Sequence, residues 1–139
     1  MAEQTAPRLY FENPVGRLLE HPDGYAIVAY NPGKRSLGDM QAFLTHASQL
    51  LRTRGWRKML GDQQLMSPYT EEERTWIQDY WVTRTAQGEE IYGAVILPQD
   101  VFARLSVNLV MKEAHASALT YRLFDNERDA KAWLDQVTV

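Results

Sequence analysis

From Ser36 onward the chain alternates between apolar residues spaced three and four apart and short continuous apolar runs. This alternation constrains the fold more than any other feature. Leu37, Met40, Phe43, Leu44, Ala47, Leu50 and Leu51 repeat with the helical period, behind Ser36 and Asp39 at capping-box spacing and ahead of Arg52, Arg54 and Gly55. A brief strand at 57–61 follows, centred on Met59 and Leu60. The next helix starts either at Ser67, with Pro68 in its first turn, or at Thr70, with Glu73 completing a capping box. It carries Trp76, Ile77, Tyr80 and Trp81. The run Ile-Tyr-Gly-Ala-Val-Ile-Leu at 91–97 reads as a buried strand. A helix over about 99–116 follows, with Val101, Phe102, Leu105, Leu109 and Lys112 marking one side. Residues 119–124 alternate as a strand, and Asp125 or Asn126 caps a last helix bearing Ala130, Trp133, Leu134 and Val137.

Strands separated by helices pair in parallel, because each helix serves as the crossover. The amino-terminal part differs. Runs at 15–20 and 25–30 flank His21-Pro22-Asp23-Gly24, a turn signal that predicts an antiparallel hairpin, and a shorter run at 9–12 stops at Asn13-Pro14. The expected order is β-β-β-α-β-α-β-α-β-α. The expected fold class is α/β, with a mixed, mostly parallel sheet of five to six strands, an N-terminal antiparallel hairpin and about four helices. Residues 1–7 read as a loose tail and 8–139 as one domain. In such sheets ligands gather at the carboxyl ends of the strands. Here those ends lead into the connections at 31–36, 61–70, 98–100 and 125–127.

Composition narrows the chemistry. The 139 residues include no cysteine, which removes disulfides, thiolate metal ligands and cysteine nucleophiles. A net charge of −3 gives no basic excess for nucleic acid. No apolar run is long enough to span a bilayer, and the first residues lack the basic and apolar regions of a signal peptide, so a cytoplasmic location is expected. His21, His46 and His115 form no close pair of the kind zinc sites use. Hydrolase-elbow, phosphate-loop and dinucleotide glycine motifs are absent. No catalytic residue, metal or cofactor is therefore assigned, and an enzyme using Asp62 is the remote alternative.

The chain resembles the SpoIIAA-like branch of the STAS superfamily (sulfate transporter and anti-sigma factor antagonist) over nearly its whole length. The pieces that carry the resemblance are Gly55-Trp56-Arg57-Lys58-Met59-Leu60-Gly61-Asp62, Gly93-Ala94-Val95-Ile96-Leu97, and the tail from Tyr121 through Asp125-Asn126-Glu127 to Ala130-Lys131-Ala132-Trp133-Leu134. The resemblance implies a non-enzymatic regulatory or protein-interaction module. In anti-sigma factor antagonists a serine beyond the third strand is phosphorylated and switches binding. Here Asp62-Gln63-Gln64-Leu65-Met66-Ser67-Pro68 occupies that region without a Ser-Gly pair, so Ser67 is the candidate phosphosite. Similarity in fold to CRAL-TRIO lipid-transfer domains implies the alternative, a carrier or sensor of a small apolar, lipid-like ligand.

Six residues are the candidate partner- or ligand-binding set: Asp62, Ser67, Tyr69, Thr70, Trp76 and Tyr80. Each also has a plain structural role. Ser67 and Thr70 suit helix caps, and Glu71, Glu72 and Glu73 would repel a second anion there. Asp62 suits a loop-ordering carboxylate. Trp76, Tyr80 and Trp81 suit core packing; as a pocket rim or partner surface instead, they would have Phe102 and Met111 as the opposing wall. Lys34 and Arg35 read as a solvated pair of charges, with contact to an acidic partner or headgroup as the alternative. A protein partner and a homodimer are the expected associations.

Overall fold

A computed structural model describes residues 6–113 and 119–137. His115 and the expected end of the third helix at 116 lie outside the described residues. Six strands and four helices follow in the expected order: β1 (Arg8–Asn13), β2 (Gly16–His21), β3 (Tyr25–Tyr30), α1 (Leu37–Arg54), β4 (Lys58–Asp62), α2 (Glu71–Ala86), β5 (Ile91–Ile96), α3 (Val101–Glu113), β6 (Leu119–Phe124) and α4 (Glu127–Gln136). No helix among the described residues is long and apolar enough to cross a membrane.

The strands form one mixed sheet in sequential order, β1-β2-β3-β4-β5-β6. β1, β2 and β3 pair antiparallel, and β3 through β6 pair in parallel. The 21–24 turn closes through Gly24 N–H donating to the His21 carbonyl at 3.0 Å, with Gly24 at φ 90°. Gly55 at φ 68° ends α1 and donates to the Arg52 carbonyl, the left-handed cap that glycine adopts without a Cβ penalty.

Sequential order has a consequence for the faces. Right-handed crossovers between successive neighbours all return over the same side of the sheet. Buried residues of α1, α2 and α3, among them Phe43, Leu50, Ile77, Trp81 and Val107, accordingly pack with Val28, Tyr30 and Val95 of the strands. α4 turns the other way. Its Ala130 and Leu134 cover Tyr25, Ile27, Leu60, Ala94 and Ile96 on the opposite face. Lys58 Nζ donates to the Leu134 carbonyl at 2.6 Å and ties down the end of that helix.

Helices leave on opposite faces only after β5 and β6, so only there does the carboxyl edge open the kind of crevice that binds ligands in α/β sheets. Arg104 occupies it. Its Nε donates to the Pro98 carbonyl at 3.2 Å and its guanidinium lies 3.4 Å from the Asp125 carboxylate. The built part of the edge lies elsewhere, between the loops that follow β3 and β4.

Candidate functional site

Arg35 and Glu73 organise the carboxyl edge. They stand on the loop before α1 and in the first turn of α2, 38 residues apart in sequence. Arg35 Nε and NH2 donate to the two carboxylate oxygens of Glu73 at 3.0 and 2.8 Å. The side chains are only 3% and 1% exposed, so this is a buried, two-pronged ion pair. Arg35 also donates to the carbonyls of Ser67 and Pro68, at 3.1 and 3.0 Å, and its guanidinium lies 5.8 Å from the centre of the Tyr69 ring. Burial pushes the Arg35 pKa down, but hydrogen bonds and charge from Glu73 outweigh it and hold the guanidinium protonated.

The expected solvated pair of charges is thus corrected. Lys34 is exposed, whereas Arg35 turns inward because Glu73 and two loop carbonyls satisfy its donors. The two alternatives for the start of α2 also resolve. Thr70 Oγ1 accepts from the Glu73 N–H at 3.1 Å, and the Thr70 N–H donates to Glu73 Oε1 at 2.9 Å. That reciprocal box makes Thr70 the cap. Ser67 instead accepts the Gly33 N–H through Oγ at 2.9 Å and joins the two loops. Together these loops wall a cleft of about 400 Å³ lined by Gly33, Lys34, Ser67, Pro68 and Thr70.

The other expected residues divide. Asp62, half-buried at the end of β4, accepts from both the backbone N–H and the side-chain amide of Gln64, at 3.2 and 3.0 Å. Tyr69 is buried, its hydroxyl accepting from Gln63 Nε2 at 3.2 Å and its N–H donating to Ser106 Oγ at 3.0 Å. Tyr80 is buried beside Ser48 and donates to the Leu44 carbonyl at 3.0 Å, well inside the edge. Trp76 is half-buried, 5.3 Å from the Tyr80 ring, and borders a shallow groove with Leu37, Glu71, Glu72 and Asp79. The structure therefore brings Ser67, Tyr69 and Thr70 together at the edge and sets Tyr80 in the core.

The expected opposing wall is half right. Met111 lines the interior with Ile77 and Trp81, but Phe102 is 72% exposed. The interior space there is about 50 Å³. That accommodates about two waters and is far below the roughly 150 Å³ of a benzene-sized cavity. It is lined by Gly61 and Gly93, whose missing side chains leave the gap, and by Gln63, whose Oε1 has no hydrogen-bond partner among the described residues. A second cleft, about 300 Å³ at the opposite edge, is bordered by Trp56, Arg57 and Arg52, the last bonded to Glu89 at 2.8 Å. Sequence reasoning missed Arg35, Glu73 and this cleft. Capping-box spacing marked Glu73 as a structural residue, but nothing marked its distant cation.

Burial makes several tyrosines weak acids. Desolvation, with the Asp23 charge adding to it, pushes Tyr25 up to about 12, and desolvation pushes Tyr69 up to about 12. Tyr30 and Tyr80 are also raised, again by burial first. A raised folded-state value contributes stability that is complete below the ordinary tyrosine value and lost as pH climbs through the folded one. An alkaline unfolding transition is therefore expected between about pH 10 and 12. Phenolate absorbance and far-ultraviolet circular dichroism should change together. A gradual titration with the dichroism intact would contradict it.

The fold and edge define an α/β chain with a mixed six-stranded sheet and a preformed loop platform beside its second helix. Compared with family models, curated proteins and solved structures, the chain matches none.

Proposed function

We propose that the chain is a non-enzymatic regulatory or protein-interaction module that works through the carboxyl edge of the sheet and the amino-terminal turn of α2. The buried Arg35–Glu73 pair carries this reading. It fixes two loops with no regular structure of their own into one surface, and preordered surfaces lose less entropy when a partner docks. Leu65 stands 60% exposed in the same loop, and Lys34 and Thr70 are exposed on either side of the cleft. The resemblance to SpoIIAA-like domains supports the same edge. Ser67 is the residue through which a phosphate would act, since its hydroxyl holds the Gly33 amide and joins the loops.

Photo-crosslinking residues placed at Lys34, Leu65 and Glu71 test the reading in cells, with Arg17 and Gln49, exposed elsewhere, as controls. The expected outcome is one partner captured from the three edge positions and not from the controls. Leu65→Asp should then weaken the purified complex at least tenfold. Capture spread evenly over all five positions, or undiminished binding by Leu65→Asp, would count against it.

A further inference from the structure

α3 is apolar on two sides. Ala103, Val107, Val110 and Met111 are buried against the rest of the fold. The other side carries Val101, Phe102, Leu105 and Leu109, exposed by 67%, 72%, 57% and 48%. Helical spacing of three and four residues puts these on one stripe. They present on the order of 400 Å² of apolar surface, the size of the largest patch on a typical monomer, which is often functional.

We propose that this stripe is the interface of a symmetric homodimer in which α3 packs antiparallel on α3 of a second copy. Three observations favour a second copy as the occupant. Val101 lies four residues before Leu105 and Leu109 four residues after, while Phe102, three before, has the exposed Asn108 as its counterpart three after. An antiparallel pair therefore sets Leu105 against Leu105 on the two-fold axis and Val101 against Leu109 of the second copy, the self-complementarity a two-fold interface requires. The charges agree as well. Asp100, exposed at the start of α3, accepts the Ala103 N–H at 2.8 Å, and Lys112 is exposed in the last turn. Antiparallel packing places each Lys112 near the other Asp100 and opposes the helix dipoles, whereas parallel packing would set like charges together. The area also fits. Two such faces and their margins bury on the order of 1,000 Å², the lower end for specific association, so the dimer is a weak, concentration-dependent one.

The interface lies along α3, apart from the cleft at Ser67 and Thr70, so the dimer stands or falls independently of the edge reading. Sedimentation of the full chain from low to high micromolar protein tests it. The expected mass rises from 16.0 kDa toward twice that value. Leu105→Glu, at an exposed position that leaves the fold intact, should weaken association at least tenfold, and Lys112→Glu several-fold. The chain has no cysteine, so Leu105→Cys supplies the only thiol. Mild oxidation should link it to itself across the axis, while Gln49→Cys should stay unlinked. A monomer at every concentration overturns the proposal and leaves the stripe to a different occupant. A dimer indifferent to Leu105→Glu, or one in which Leu105→Cys fails to crosslink, overturns it equally.

Discussion

Glu73→Gln is expected to destabilise the fold by about 3 kcal/mol, measured by urea unfolding. The change preserves the shape of the side chain and removes its charge. Arg35, with 3% of its side chain exposed, is then a buried cation without its anion. Breaking a buried pair from one side typically costs about 3–5 kcal/mol, and an amide that still accepts a hydrogen bond falls at the lower end. Arg35→Ala should cost at least as much. It strands the carboxylate and also releases the carbonyls of Ser67 and Pro68. Replacing both partners together, Arg35→Met with Glu73→Leu, should recover most of the loss, because neither charge is then left buried alone. A cost below about 1 kcal/mol for either single change would put the pair in the class of surface salt bridges.

Gly16→Ala is expected to cost about 3 kcal/mol, for an unrelated reason. Gly16 begins β2 and pairs with Tyr30 across the β2–β3 ladder. A Cβ there would lie 2.0 Å from the Ala29 carbonyl oxygen, and that neighbour is backbone within a strand rather than a side chain able to turn aside. The strands would have to separate at the point where β1 enters the sheet. Gly61→Ala is the matched control in β4. Its added methyl meets nothing closer than 3.9 Å, which is ordinary contact, and the small space beside it can take the methyl. That change should leave stability within about 1 kcal/mol of the starting protein. Equal effects at the two glycines would contradict the strand register.

The architecture was legible because its signals are local. Ser36 and Gly55 mark both ends of α1, Asn126 opens α4, and the turn at 21–24 sets the antiparallel β2–β3 pairing. Helices between strands then imply the parallel half of the sheet. What was not legible depends on partners distant in sequence. The three glutamates at 71–73 look alike as complements of a helix dipole, yet only Glu73 turns inward, because Arg35 reaches it from the loop after β3. In α3 the period announced an apolar side, but the chain carries two such sides. The smaller residues Ala103, Val107 and Val110 face the fold, and the larger Phe102, Leu105 and Leu109 face outward. Helical periodicity alone cannot choose between two apolar stripes on one helix. Tyr80 illustrates a different failure: the aromatic face it shares with Trp76 marks it as a candidate binding residue, yet it is buried beside Ser48 and the Leu44 carbonyl and belongs to the core.

The central claim is that the carboxyl edge is a rigid, preformed surface held by the Arg35–Glu73 pair. Amide hydrogen exchange tests it most directly, because side chains hold three loop amides there: Gly33 by Ser67 Oγ, Tyr69 by Ser106 Oγ and Thr70 by Glu73 Oε1. In the native protein these amides should exchange far more slowly than free loop amides, and in Glu73→Gln those of Gly33 and Thr70 should accelerate together while the amides of β4 stay protected. If Gly33 and Thr70 exchange at free-loop rates in the native protein, or if Glu73→Gln leaves both unchanged, the edge is not held in this way.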